Sequence, residues 1–351
     1  MKRTLLYLLE GGLLLAGLLV AFTGWQQQVA LQRPLAIAEE RLIEVPAGAT
    51  PGGVLNRLED EGVLDGALWL RLYWRFNLDG KALHSGEYRL TPGLTGRDLL
   101  DLWRRGEVVQ YSLTLVEGWS FRQLRAALVS QERLEQTLAS LDDAAVMQRL
   151  GLDGQHPEGR FFPDTYRYVR GMRDIDLLRQ AHERLTQVLD EEWGQRAEGL
   201  PYREPYQALI MASLVEKETG VAEEREAIAG LFIRRLRLGM LLQTDPAVIY
   251  GLGERYAGNL TRAHLREPTP YNTYLHPGLP PTPIAMVGRE AIHAALHPAA
   301  GDSLYFVARG DGTHVFSRTL DEHNRAVREF QLKRREDYRS SPAAPTQGKA
   351  Q

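Results

Sequence analysis

Two glutamates one residue apart, Glu216 and Glu218, close an otherwise apolar stretch in the string SLVEKETG, residues 213–220. A carboxylic acid that apolar surroundings hold protonated can serve as a general acid, because burial disfavours its anion. A solvated helix end, whose acids do no chemistry, is the competing interpretation. Which of the two interpretations is right depends on the secondary-structure element that carries the two side chains.

The surrounding sequence, PYQALIMASLVEKET, predicts a helix that begins at Pro205 and ends at the breaker Gly220. At about 100° per residue, Glu216 and Glu218 lie on different faces of this helix. Glu218 shares its face with Ile210, Met211, Leu214 and Val215. Glu216 lies nearly opposite, with Leu209, Ala212 and Ser213.

Glu218 is therefore the candidate acid, since desolvation and the negative end of the helix dipole both raise the pKa of a carboxyl placed there. A salt bridge from Glu218 to a following arginine such as Arg225 is the competing account. Glu216 is predicted to be a solvated or helix-packing acid.

Composition excludes several classes of protein. The chain has 351 residues, which is enough for two or three packed domains. Its composition, 44% hydrophobic and 25% charged, is ordinary for a folded protein. Its net charge of −3 is spread over segments of mixed sign and argues against a nucleic-acid partner. Because it has no cysteine, it forms no disulfide, thiolate metal site or cysteine nucleophile.

The N-terminus predicts a membrane anchor. Lys2 and Arg3 precede an apolar run, Thr4 to Phe22, that is long enough to cross about 30 Å of hydrocarbon as a helix. The basic residues predict a cytoplasmic N-terminus, and Trp25 is expected at the far interface. A cleaved signal peptide is the alternative, but the run exceeds the usual apolar length of about 7–15 residues.

Strand-like runs followed by a glycine turn and a helical pattern recur three times, beginning at Ile43, Tyr88 and Leu113. Between the first two, ALWLRLYWRF, residues 67–76, is rich in aromatics. Rings can stack on carbohydrate, but the helical spacing here favours packing in a core. Further on, PEGRFFPDTYRY, residues 157–168, predicts an ordered loop in which Asp164 and Tyr166 line a cleft or form a buried corner.

Several rare strings occur together in one order: LIMASLVEKETG, RRLRLGMLLQTDPAVIYGLG, PYNTYLHPGLPPTPI and HVFSRTLDEHN. With these strings the chain resembles the endolytic murein transglycosylases, the YceG-like or MltG family, over nearly its whole length. The resemblance implies an α+β fold with an N-terminal transmembrane helix, LysM-like strand-turn-helix modules and a lysozyme-like mixed α/β catalytic domain. One departure is Arg160, where the family pattern leads us to expect a bulkier apolar residue.

The apolar run, the composition of the C-terminus and the resemblance together predict domain boundaries and a location. The predicted segments are 1–25 (cytoplasmic N-terminus and anchor), 26–40 (linker), 41–135 (LysM-like modules), 136–338 (catalytic domain) and 339–351 (disordered tail). We expect a single-pass protein of the cytoplasmic membrane whose catalytic domain faces the periplasmic side. Its expected partners are peptidoglycan glycan strands and peptidoglycan synthases (penicillin-binding proteins), without a nucleic acid.

The implied activity is cleavage of the MurNAc–GlcNAc β-1,4 bond to give 1,6-anhydroMurNAc ends, with no cofactor. The family motif ends in Glu followed by Ser or Thr and maps onto Glu218 and Thr219, so Glu218 is the expected single general acid and base. Residues expected to bind the sugars are Gln243, Thr244, Tyr271, Asn272 and Tyr274, with Asp164 and Tyr166 in the cleft. Asp245 is interpreted as a helix N-cap.

Two other functions remain open at this level. A non-catalytic peptidoglycan-binding module would use its acids structurally, and a two-carboxylate muramidase would pair Glu218 with Asp245 or Asp164. His293 and His297 have the i, i+4 spacing of metal ligands, but no third ligand stands nearby in the sequence, so we expect no metal site.

Overall fold

The structure, a computed structural model, describes residues 2–78 and 83–331, with the side chains at 2–6, 8 and 9 left out. The predicted disordered tail, 339–351, lies outside the described residues. The chain divides into two units. Unit 1 comprises Met1–Ser112, Glu132–Glu135 and Arg167–Arg173, and unit 2 comprises Leu113–Gln131, Gln136–Tyr166 and Asp174–Gln351.

The described residues form α-helices and short strands, as an α+β fold requires. The helices are α1 (Lys2–Gln32), α2 (Pro51–Asp60), α3 (Ala67–Asn77), α4 (Gly96–Arg105), α5 (Phe121–Val129), α6 (Asp143–Leu150), α7 (Asp174–Gly194), α8 (Pro205–Glu218), α9 (Arg225–Arg237), α10 (Asp245–Leu252), α11 (Arg289–Leu296) and α12 (Leu320–Phe330). The strands are β1 (Arg41–Val45), β2 (Gly86–Leu90), β3 (Gln110–Thr114), β4 (Thr165–Val169), β5 (Tyr305–Ala308) and β6 (His314–Ser317). They pair as β1 with β2, β3 with β4 and β5 with β6.

The core of unit 1 forms between the antiparallel β1–β2 pair and helices α2, α3 and α4. Trp103 of α4 is fully buried, and its ring meets Trp74 and Tyr88 edge-on, at 6.1 and 6.4 Å. A capping box begins α4, because the Asp98 carboxylate accepts the N–H of Thr95 and the Thr95 hydroxyl accepts the N–H of Asp98.

The three predicted strand-turn-helix units are present, as β1–α2, β2–α4 and β3–α5. The third differs from the other two, because β3 pairs with the distant β4. The aromatic segment 67–76 forms most of α3, but only part of it packs in the core as expected: Trp74 is buried, whereas Phe76 is 76% exposed.

Helix α1 has 31 residues and contains a stretch, Glu10–Gln32, that is long and apolar enough to cross a membrane. The side chains of Leu13, Leu18 and Val20 are exposed, as in a helix that faces lipid. The helix continues ten residues past Phe22, where we expected the apolar run to end, and Ala30 is buried in the core of unit 1.

Unit 2 is built around α8. Its residues Ala208–Val215 are all buried, and α7, α9, α10 and α11 contact it. The Ser213 hydroxyl donates to the carbonyl of Ile210 at 2.7 Å and accepts the N–H of Ile284 at 3.0 Å. These bonds join α8 to the loop before α11, so the end of α8 has a fixed position in the unit.

Candidate active site

Glu218 is the last residue of α8, as the sequence predicts. The helix ends there because Thr219 has an extended backbone, with φ of −142°, while its N–H still bonds to the carbonyl of Val215 at 3.3 Å. Thr219 therefore ends the helix one residue before the expected breaker, Gly220. At this end the helix dipole disfavours the anion of the Glu218 carboxyl.

Burial raises the pKa of Glu218 to about 7. The Thr244 hydroxyl and the Arg235 guanidinium lower this pKa, and the charge of Asp245 raises it. The Thr244 hydroxyl lies close enough to the Glu218 carboxyl to act on its pKa, but by geometry the two groups form no complete hydrogen bond, and Glu218 Oε1 and Thr244 Oγ1 are both buried without a partner among the described residues. Glu218 is thus a half-buried residue whose carboxyl can exchange a proton near neutral pH and whose buried Oε1 has no hydrogen-bond partner among the described residues.

Arg235 of α9 is itself buried and holds the segment before α10. Its guanidinium donates to the carbonyl of Leu242 at 2.7 Å and to that of Leu304 at 2.7 Å. Next to Leu242, Gln243 has a φ of +52°, which makes it the one non-glycine residue of the described chain with positive φ. Such backbone strain is held by surrounding contacts and is found most often at functional sites.

Thr273 and Tyr274 fix this strained segment from the opposite loop. The Thr273 carbonyl accepts the N–H of Gln243 at 3.1 Å, and its hydroxyl accepts the N–H of Thr244 at 3.0 Å. The Tyr274 hydroxyl donates to Asp245 Oδ1 at 2.6 Å. The structure therefore brings Gln243, Thr244 and Tyr274, three of the predicted binding residues, to the surroundings of Glu218.

Asn272, predicted to bind an N-acetyl group, is fully buried in the loop. Its amide donates to the carbonyls of Glu267 and Leu265, at 2.8 and 3.2 Å, and its Oδ1 accepts the N–H of Tyr274 at 3.0 Å. Both sides of the amide are used within the loop. In this geometry Asn272 positions Tyr274 and presents no free amide to a sugar.

Tyr271 lines a cleft of about 760 Å³ in unit 2. Its hydroxyl lies 2.8 Å from that of Thr282, and its ring meets Tyr250 edge-on at 4.8 Å. Other lining residues are Phe121, Glu158, Lys217, Pro246 and Tyr250. Lys217 and Pro246 adjoin Glu218 and Asp245 in the sequence, but neither of these two acids lines the cleft itself.

Glu158 is a buried acid that the sequence analysis missed. Burial raises its pKa to about 7, and the N–H of Phe121 and the hydroxyl of Tyr250 lower it. The Phe121 N–H donates to Glu158 Oε1 at 2.9 Å. The Glu158 carboxyl therefore binds the first residue of α5, whereas Glu218 has one oxygen, Oε1, without a hydrogen-bond partner among the described residues. Its place in the string PEGRFFPDTYRY, between proline and aromatics, was the available signal of burial.

Tyr166 lies in the buried corner that was the alternative to a cleft, whereas Asp164 beside it does not. Tyr166 is 8% exposed, and its hydroxyl donates to the carbonyl of Phe162 at 2.7 Å. Asp164 is exposed, and its carboxylate accepts the N–H of Thr165 at 2.7 Å. The neighbouring Arg160, which departs from the expected apolar type, stacks its guanidinium on a ring of α8, 4.2 Å from the Tyr206 centroid.

Glu216 is not the solvated acid that was one of its two predicted roles. Burial and the charge of Glu117 raise its pKa to about 7, and Arg225 lowers it. The N–H of Gly288 donates to Glu216 Oε2 over 3.5 Å. The two glutamates differ less in their surroundings than the helical spacing predicts, because residues Ala208–Val215 of α8 are buried on every face. The other predicted role, helix packing, agrees with these contacts.

Two further interpretations are corrected by the structure. Arg225 acts on Glu216, and the arginine that acts on Glu218 is Arg235. Asp245 does not cap α10, because it is the first residue of that helix, and the N-cap residue before it makes no capping side-chain bond. Its carboxylate instead accepts the bond from Tyr274.

His293 and His297 do have a third potential metal ligand, Glu192 of α7, and the ligand atoms of the three lie within 4.8 Å of one another. The sequence could not reveal it, since 101 residues separate Glu192 from His293. The Glu192 carboxylate is bound by Arg289 at 2.7 Å and by His293 at 2.8 Å, and His297 Nε2 contacts the carbonyl of Gln195 at 2.8 Å. A cation would have to displace these contacts.

The fold and the site define an α+β protein whose second unit holds a cleft and, at a helix end, a carboxyl with a buried oxygen that lacks a hydrogen-bond partner. The sequence profile of the YceG-like family matches residues 43–329, and the chain belongs to this family. It is 29% identical to an endolytic murein transglycosylase of Bacillus subtilis, covering 82% of this chain and 84% of that protein. An endolytic murein transglycosylase of Streptococcus pneumoniae is 28% identical over 82% of this chain, which spans 58% of that longer protein.

A solved structure points to the same family. The crystal structure of a YceG-like protein from Listeria monocytogenes is similar to this chain with a TM-score of 0.52 and 30% sequence identity. The similarity covers 82% of this chain and 99% of the Listeria chain. Both units of the described fold therefore fall within a likeness to one family.

Proposed function

We propose that this protein is a membrane-anchored lytic transglycosylase that cleaves the MurNAc–GlcNAc β-1,4 bond within nascent peptidoglycan strands. The observation that carries the proposal is the buried Glu218 carboxyl, which has a pKa raised to about 7 and an unpartnered oxygen. Membership of the YceG-like family supports it, as do relatives named endolytic murein transglycosylase.

One carboxyl suffices for this reaction. Protonated Glu218 donates its proton to the glycosidic oxygen as the bond to C1 of the muramoyl sugar breaks. The resulting carboxylate then takes the proton of the C6 hydroxyl, whose oxygen attacks C1 and closes the 1,6-anhydro ring. Because the nucleophile belongs to the substrate, its attack benefits from proximity, and no water is consumed. Glu218 ends the cycle protonated.

The neighbours of Glu218 suit these two steps. Burial and the charge of Asp245 favour the protonated acid, and Thr244 and Arg235 favour the carboxylate, so the pKa of Glu218 stays where both forms are accessible. Gln243, whose side chain is exposed, and Tyr274 would contact the sugars bound near the acid. In the adjoining cleft, Tyr271 offers a ring on which a saccharide can stack.

The anchor and the N-terminal modules complete the proposal. Helix α1 would hold the protein in the cytoplasmic membrane, with the rest of the chain on the periplasmic side close to peptidoglycan synthases. The strand-turn-helix units within 41–135 would bind the glycan strand. A reporter enzyme that works only outside the cytoplasm should be active when it is fused after residue 40. Release of a shortened soluble form would instead indicate a cleaved signal peptide.

Glu218→Gln and Glu216→Gln form a matched pair that tests the reaction. Both keep side-chain size, but only the first removes the proposed proton carrier, so Glu218→Gln should abolish cleavage and Glu216→Gln should keep substantial activity. Mass spectrometry of the muropeptides is the assay, and circular dichroism checks the fold. Anhydromuramoyl ends support lytic cleavage, reducing ends indicate a muramidase, and sacculus binding without cleavage indicates a binding module.

A further inference from the structure

The face of α3 that points away from the unit 1 core is apolar. Three residues of the helix are buried, Ala67, Leu70 and Trp74. On the opposite side, Leu68, Leu72 and Phe76 follow one another at four-residue intervals and form a stripe along the helix. Leu68 is 47% exposed and Phe76 is 76% exposed. A surface helix of a soluble domain carries polar residues on this side.

This apolar stripe lies beside helix α1. The ring of Trp69, next to the stripe, meets Phe22 of α1 edge-on at 6.1 Å, and Phe22 also contacts Trp25 at 6.3 Å. A Cβ added at Gly66, just before α3, would lie 3.3 Å from the Cβ of Ala30. Helix α3 is therefore held against α1 between Phe22 and Ala30, just past the apolar run Thr4–Phe22 that the sequence predicts as the span.

The charges around the stripe suit a phospholipid surface. Arg71 and Arg75 are exposed on α3 and adjoin the stripe on one side. Arginine can lay its apolar stem along a membrane boundary while its guanidinium binds phosphate. On the other side, Arg97 lies over the ring of Tyr73, 5.8 Å from its centroid. Aromatic, aliphatic and basic residues together are typical of helices at membrane interfaces.

We propose that the outer face of α3, formed by Leu68, Trp69, Leu72 and Phe76, docks on the bilayer that α1 crosses. The inference rests on the proposed membrane span of α1. The apolar side chains would enter the boundary between headgroups and acyl chains, and the arginines would bind lipid phosphate. A glycan platform fits the face less well, since leucines offer no ring to a sugar and Trp69 already packs on Phe22.

The docking adds a second point of attachment beside α1. A single helix lets the domain that follows it rotate and tilt, whereas a helix and an adjacent interfacial face fix unit 1 against the membrane surface. The part of the chain that precedes the catalytic residues would then have a defined height above the bilayer.

The absence of cysteine makes a direct test possible, because a single introduced cysteine can carry a fluorescent label. Full-length protein with Phe76→Cys is labelled with a nitrobenzoxadiazole dye and reconstituted in vesicles of phosphatidylethanolamine and phosphatidylglycerol with brominated acyl chains. Val20→Cys on α1 is the control for the anchor, and Asn56→Cys, exposed on α2, is the control for solvent. We expect quenching at positions 76 and 20 and none at position 56.

The outcomes separate this inference from the anchor. Quenching at position 20 with none at position 76 overturns the docking and leaves the anchor standing, and no quenching at either position overturns both. A blue shift of the label at position 76 with purified sacculi but not with vesicles overturns the docking in favour of a glycan platform. With the label at 76, Leu68→Ser should lower the quenching about twofold, whereas Asn56→Ser should not change it.

Discussion

The Tyr274 hydroxyl donates a 2.6 Å hydrogen bond to Oδ1 of Asp245, the first residue of α10. Asp245 in turn acts on Glu218, whose pKa its charge raises. Burial, the bond to Asp245 and the charges of Asp245 and Glu218 raise the pKa of the Tyr274 hydroxyl, so it remains a donor. The bond therefore fixes a negative charge at a set position relative to the proposed acid.

Asp245→Asn should shift the pH dependence of cleavage. Asparagine keeps an acceptor for Tyr274 but removes the charge, so the pKa of Glu218 falls. A general acid works while it is protonated, and its rate declines as the pH rises through its pKa, so the alkaline limb of the kcat/KM profile should move to lower pH.

The same substitution distinguishes the muramidase alternative. If Asp245 were a second catalytic carboxylate, Asp245→Asn would remove activity at every pH. Asp164→Asn serves as the matched control, because Asp164 is exposed and does not act on Glu218. It should leave both the rate and the position of the alkaline limb unchanged.

Tyr274→Phe should lower kcat more than it changes KM. The ring remains for contact with substrate, but Asp245 loses its donor and the start of α10 loses one of its contacts with the loop. Since small misplacements of catalytic groups are costly, we expect a loss of roughly 10- to 100-fold in kcat with little change in the free energy of unfolding. Tyr271→Phe, which loses only a hydroxyl contact with Thr282, should affect kcat much less.

Glu216→Gln should stabilise the protein at alkaline pH. The pKa of Glu216 is about 7 in the folded chain against an ordinary value of 4.5, so the folded state binds more protons between these values. Stability that is fully present below pH 4.5 is lost as the pH rises through 7. Glutamine removes that loss, so the free energy of unfolding of the variant should exceed that of the parent by at most about 3 kcal/mol at pH 8 and should equal it at pH 4.

Urea unfolding at the two pH values measures this gain. Glu183→Gln, at an exposed position of α7, is the control and should stay within about 0.5 kcal/mol of the parent at both. An equal gain for Glu216→Gln at pH 4 and pH 8 would show that the effect comes from packing and not from the desolvated charge.

Local patterns predicted much of this site, and tertiary contacts account for what they missed. Pro205 and the apolar run after it predict α8 and place Glu218 at its end, because these signals act within a few residues. The burial of Glu216 and Glu158 comes from segments distant in the sequence, as does the position of Arg235 beside the acid. No periodicity within one helix contains that information.

Gln243 provides the last prediction, because its backbone and its side chain can be tested separately. Its φ of +52° suits glycine, so Gln243→Gly relieves strain in the folded chain while it adds freedom to the unfolded one. The two effects oppose each other, and the free energy of unfolding should change by less than about 1 kcal/mol.

Activity should respond to the side chain of residue 243 and not to this strain. Gln243→Gly removes the amide that we place against the sugars, so KM for glycan strands should rise, whereas Gln243→Asn keeps an amide in a residue that tolerates positive φ and should recover part of the affinity. The measurement is the concentration dependence of anhydromuramoyl product release. If Gln243→Gly binds and cleaves glycan as the parent does, the residue serves only the backbone turn before α10 and contacts no substrate.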